Sequence, residues 1–159
     1  MKLSGRIRRG KEWLRFFGIA RRREDSEMTQ HDAPSKQDRS PVKTIFVVED
    51  DADIGEFVVQ VLQQETPYLA VLATDGFQAL KMLYSLKPDL FLLDYLLPSM
   101  NGLELYDRLQ TVEVFKHLPT VFMSANMPTG ELEKRQVYYL RKPFELEELL
   151  QVIERLLAQ

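Results

Sequence analysis

The chain holds 159 residues, 45% apolar and 28% charged, with a formal net charge of −3, two histidines and no cysteine. That length fits one domain with a tail. The lack of cysteine excludes disulfides, thiolate metal sites and thiol nucleophiles, and His31 and His117 are too few for a histidine zinc site. No run of about 18 apolar residues occurs, so no membrane-spanning helix is expected.

Residues 1–23 carry nine Lys or Arg against Glu12 alone; the remainder carries twelve basic and twenty-three acidic residues. A basic head on an acidic body implies two functional units, and the acidity of the body argues against nucleic-acid binding by the domain itself. The head interleaves its charges with Trp13, Leu14, Phe16, Phe17 and Ile19, while Gly5, Gly10 and Gly18 disfavour a free helix. It lacks the apolar core of a secretory signal. Two readings stand for it: contact with an anionic membrane, a nucleic acid, an acidic partner or the acidic body itself, or a leader with no binding role. Met28 offers an alternative start of translation. The polar stretch from Glu24 to Pro41 reads as a flexible linker, so residues 1–41 are expected to be a disordered head and linker, and residues 42–159 the folded domain.

From Val42 the pattern changes. Thr44 to Val48 is a short β-branched run, the mark of a buried strand. Ile54, Phe57, Val58, Val61 and Leu62 then define one helical face. Tyr68 to Ala73 is a second strand. Thr74 is the expected cap of the next helix, which buries Ala79, Leu80 and Leu83. Leu90 to Leu93 is a third strand, and Asn101-Gly102 opens a helix carrying Leu105 and Leu109. A strand over Thr120 to Met123, a short polar helix from Thr129 to about Gln136 and a strand over Val137 to Arg141 follow. Leu146, Leu149, Leu150, Ile153, Leu156 and Leu157 form the last helix.

Strands alternating with helices predict an α/β fold: a doubly wound five-stranded parallel sheet with helices on both faces. Such sheets carry their sites at the carboxyl ends of the strands. Here those ends hold Glu49-Asp50-Asp51, Asp94, Ser124 and Lys142-Pro143. Clustered carboxylates raise each other's pKa unless a cation sits among them. With hard oxygen donors only, that cation is Mg²⁺ or Mn²⁺. Carboxylate, hydroxyl and ammonium around Mg²⁺ suit phosphoryl transfer, with an Asp able to become an aspartyl phosphate.

At these residues the sequence resembles the receiver domains of two-component response regulators. Val47-Val-Glu-Asp-Asp51 is similar to the family's acidic strand end. Leu93-Asp-Tyr-Leu-Leu-Pro-Ser-Met-Asn-Gly102 resembles its phosphoacceptor motif, Phe122-Met-Ser-Ala125 its switch segment, and Lys142-Pro-Phe144 its Lys-Pro-Phe. The resemblance implies the flavodoxin-like receiver fold, with Asp94 accepting a phosphoryl group from a histidine kinase or phosphotransfer protein. It implies Mg²⁺ held by Asp50, Asp94 and the Leu96 backbone carbonyl, with Glu49 acting through water. Ser124 and Lys142 would meet the phosphoryl oxygens, the Lys142–Pro143 bond would be cis, and Tyr139 would be the aromatic switch. Asp51 is expected to cap the first helix rather than bind metal.

Ser124 and Lys142 are 18 residues apart, about one helical turn less than the family pattern, so a shortened fourth helix is expected. The chain ends at Gln159 without a DNA-binding output domain, which suggests a stand-alone, cytoplasmic, non-enzymatic receiver acting on an unknown protein target. Three alternatives are weaker. A haloacid-dehalogenase-type phosphatase needs a second Asp where Leu96 stands. A flavodoxin needs a phosphate loop where the acids stand. A degenerate receiver that only binds partners would not need Asp94, Asp50, Ser124 and Lys142.

Overall fold

The computed structural model describes residues 41–126 and 129–158. The expected basic head and linker, residues 1–41, lie outside them, Pro41 excepted. The fold occupies the unit Val42–Gln159. Five strands, β1 (Thr44–Val48), β2 (Leu69–Ala73), β3 (Leu90–Asp94), β4 (Thr120–Ser124) and β5 (Tyr138–Arg141), form one parallel sheet in the order β2-β1-β3-β4-β5. The helices between and after them are α1 (Ala52–Glu65), α2 (Gly76–Met82), α3 (Gly102–Gln110), α4 (Thr129–Arg135) and α5 (Leu146–Leu157). Among the described residues no helix is long and apolar enough to cross a membrane.

The central strands β1, β3 and β4 are almost wholly buried, which is why they read as continuous apolar runs rather than as alternating ones. Their side chains still alternate in direction. Phe46, Val48, Phe91, Leu93 and Phe122 point into one core, shared with Ala79 and Leu83 on the α2 side, Leu105 and Leu109 of α3, and Leu132 of α4. Phe91 forms edge-to-face pairs with Phe46 and Phe115, at 6.2 and 5.8 Å. The intervening Ile45, Val47, Leu90, Leu92, Val121 and Met123 turn to the opposite face, where α1 buries Val58, Val61 and Leu62 and α5 buries Leu149, Ile153 and Leu157.

Local chemistry sets the helix starts. Asp51 caps α1, its Oδ1 accepting from the amides of Asp53 and Ile54. Asn101 and Glu104 close a reciprocal capping box on α3, an arrangement that satisfies two otherwise orphaned donors. The cap of α2 is Asp75, whose carboxylate accepts from the Gln78 amide, and not the expected Thr74. Thr74 instead donates through its amide and hydroxyl to the Gln78 side chain. Strand ends differ by a residue as well. Tyr68 and Val137 fall outside β2 and β5, while Asp94 and Ser124 are the last residues of β3 and β4. α4 has seven residues, as its short spacing implied, and Gln136 ends it at a φ of 55°.

Candidate functional site

The strand order reverses direction between β1 and β3, and this opens a crevice at the carboxyl edge of the sheet. Four strand ends deliver side chains to it. The register Val48↔Leu93 sets Glu49, the residue after β1, beside Asp94, the last of β3. Ser124 closes β4, and Lys142 follows β5 directly. Glu49, Asp94 and Ser124 are buried, whereas Asp50 is exposed at the mouth.

Lys142 ties the edge together. Its ammonium donates to Glu49 Oε2 at 2.9 Å and lies 3.4 Å from Asp94 Oδ2. β5 and β1 are three strand spacings apart, about 14 Å, so the pair spans the ends of β3 and β4 through two extended side chains. The other Glu49 oxygen accepts from the Asp51 amide at 3.3 Å. Asp94 Oδ1 accepts from the Leu96 amide at 3.1 Å. The Lys142–Pro143 peptide is cis.

The charges do not balance within the protein. One oxygen from each of Glu49, Asp50 and Asp94 can be chosen so that all three lie within 4.8 Å of one another, and Lys142 pairs with two of them, Glu49 and Asp94. Burial pushes the Glu49 carboxyl up to about 7; Lys142 opposes that rise and Asp94 adds to it. Burial works against the Lys142 ammonium too, but Glu49 and Asp94 outweigh it and its pKa is raised. Three hard carboxylate donors with a net charge deficit fit a divalent cation such as Mg²⁺.

The loop from Asp94 to α3 is shaped tightly. The Gly102 amide donates to the Tyr95 carbonyl at 2.9 Å. A Cβ on Gly102 would lie 2.3 Å from the Asp94 carbonyl oxygen, so only glycine lets the helix start this close to the strand end. Between them Ser99 has a φ of 66°, with the Met100 amide donating to the Pro98 carbonyl at 2.7 Å. This three-residue turn is a strained one for a non-glycine residue.

On the other side, the Ser124 hydroxyl accepts from the Asn126 amide at 3.2 Å. The Ser124 carbonyl accepts both the Lys142 amide and the Tyr139 hydroxyl, each at 2.9 Å. The structure therefore brings Glu49, Asp50, Asp94 and Lys142 together, and links Ser124 and Tyr139 to them through backbone. Leu96 follows Asp94 in the loop with its side chain exposed. Sequence reasoning placed Glu49 only as a metal ligand and did not foresee its ion pair with Lys142. Nor did it foresee the pair between Arg135 and Asp107. Neither has a local signal, because the partners are 93 and 28 residues apart.

Comparison with known proteins agrees with this geometry. The family model of the response regulator receiver domain matches residues 45–154. The DNA-binding response regulator MtrA of Mycobacterium tuberculosis is 38% identical over 110 residues, which cover 67% of this chain and 46% of that relative. The chain spans less than half the length of the curated relatives it matches. Among solved structures, the Vibrio cholerae chemotaxis protein CheY4 aligns with a TM-score of 0.67 and 24% identity, over 72% of this chain and 98% of that one. The receiver domain of the Pseudomonas aeruginosa sensor histidine kinase PA1611, solved with magnesium coordinated in its active site cleft, aligns with a TM-score of 0.64 and 25% identity, over 74% of this chain and 99% of that one. The described chain belongs to the response regulator receiver domain family of two-component signalling.

Proposed function

We propose that the domain is a phosphorylation-activated receiver in which Asp94 accepts a phosphoryl group from a histidine kinase or a phosphotransfer protein. The observation that carries this is the placement of one ammonium, Lys142, against both Asp94 and Glu49 at the mouth of a three-carboxylate cluster. A carboxylate oxygen of Asp94 attacks phosphorus and forms the acyl phosphate. The N–P bond of the donor phosphohistidine breaks, and the imidazole nitrogen leaves with the electron pair. Lys142 then pairs with the phosphoryl oxygens, and the Ser124 hydroxyl, which accepts from the Asn126 amide, turns its own proton to donate to one of them.

Asp50 and Asp94, the Leu96 carbonyl and, through water, Glu49 would hold Mg²⁺ (Mn²⁺ would serve similarly). Bound there, the ion supplies positive charge against the carboxylates and the transferring oxygens. The domain acts on no separate substrate, and its cytoplasmic output is contact with a protein target. The acidic excess outside the basic head supports a protein rather than a nucleic acid as partner of the domain itself. The short α4 is the one observation that favours a phosphorylation-independent binding module instead.

Incubation with acetyl phosphate and Mg²⁺, read by intact mass, tests the proposal. The wild type should gain one phosphoryl mass and Asp94→Asn none. Undiminished labelling of the variant would overturn the assignment, and an unlabelled wild type would favour the binding module.

A further inference from the structure

The short α4 is held by an unusual set of contacts. A helix of seven residues is too short to be stable by itself, and its buried anchor in the core is Leu132. At its last residue, the Arg135 guanidinium meets Asp107 of α3 as a fork: Nε donates to Oδ1 at 2.9 Å and Nη2 to Oδ2 at 2.8 Å. The remaining nitrogen, Nη1, donates to the Glu131 carboxylate at 2.7 Å and to the Glu131 carbonyl at 3.1 Å. The Arg135 side chain is 22% exposed.

Both ends of this contact lead to the site. Gln136, the next residue, turns the chain at a φ of 55° into β5, which carries Tyr139 and leads to Lys142. Beside Asp107, the Tyr106 ring packs edge-on against Phe122 at 5.8 Å, two residues before Ser124 in β4. An isolated surface ion pair contributes little. A bidentate fork that is half-shielded and shared with a third charged group is the geometry in which such a pair does hold a position.

We propose that Arg135 and Asp107 form a latch that keeps α4 and the start of β5 in their resting arrangement and so restrains phosphorylation at Asp94. The proposal rests on Asp94 being the phosphoacceptor. Any rearrangement of Ser124, Tyr139 and α4 upon phosphorylation has to break or shift the fork. A protein in which the fork is already broken populates the receptive arrangement more often.

Arg135→Met and Asp107→Asn test it; the first keeps most of the apolar stem, the second the shape of the side chain. In unphosphorylated protein, amides over residues 130–140 should exchange about 3- to 10-fold faster in both variants, with β1 and α1 unchanged. Labelling by acetyl phosphate with Mg²⁺ should quicken by about 3-fold. Unchanged exchange in both variants overturns the latch. Faster exchange with unchanged labelling reduces the fork to a static tie and overturns its restraint on the site. If neither wild type nor variants take a phosphoryl group, the phosphoacceptor reading falls and the restraint with it, an outcome distinct from equal labelling of all three.

Discussion

The Tyr139 hydroxyl donates to the backbone carbonyl of Ser124 over 2.9 Å, and that carbonyl also accepts the amide of Lys142. The aromatic of β5 is thereby fastened to the end of β4, at the carbonyl that also holds the Lys142 amide. Movement of the Ser124 backbone has to break this bond or carry the Tyr139 ring with it.

Tyr139→Phe keeps the ring and removes this bond. The variant should lose about 1 kcal/mol of stability, the usual net worth of such a bond. Urea unfolding checks it, with the midpoint falling and the slope unchanged. An unaltered midpoint would mean that the hydroxyl is satisfied equally well by water.

Lys142→Met removes the cation from between two buried carboxylates. Breaking a buried pair by removing one partner costs about 3 kcal/mol or more, and the Glu49 carboxyl, already up at about 7, loses the ammonium that held it down, so the midpoint should fall well below that of Tyr139→Phe. Added Mg²⁺ should restore more stability to this variant than to the wild type, because the ion replaces part of the lost positive charge. Equal stabilisation by Mg²⁺ in both proteins would count against a shared site.

Asp50→Ala leaves the buried pair of Glu49 and Asp94 intact and deletes the exposed member of the cluster. On the proposed ligand set, Mg²⁺ affinity, measured by titration calorimetry, should weaken by about 10-fold or more, with little change in unfolding midpoint, because a charged ligand goes and no packing does. Unchanged affinity would place the ion elsewhere.

Gly102→Ala drives a methyl group against the Asp94 carbonyl. The strand end and α3 must separate, which costs about 1–3 kcal/mol as overpacking does. The labelling rate should fall along with stability, because the displaced backbone is that of Asp94. A variant as stable as wild type would show that the loop can yield.

Much of this molecule is legible in its sequence because the signals are local. Thr44 to Val48 and Leu90 to Leu93 are strands because β-branched and apolar runs bury on both faces of a parallel sheet. The period of Leu149, Ile153 and Leu157 alone sets the buried side of α5. The acids, Ser124 and Lys142 stand out since a strand end in such a fold is where chemistry is carried. Other features have no local cause. Thr74 and Asp75 are both good caps, and the choice fell to Asp75 through where β2 ends and the helix must start. The bonds from Lys142 to Glu49 and from Arg135 to Asp107 exist because strand order and helix packing bring together residues far apart in the chain. Sequence by itself determined which residues reach the carboxyl edge of the sheet. Only the tertiary structure decided which of them pair, because Coulomb interaction and hydrogen bonding act over a few ångströms in space, not over positions in the chain.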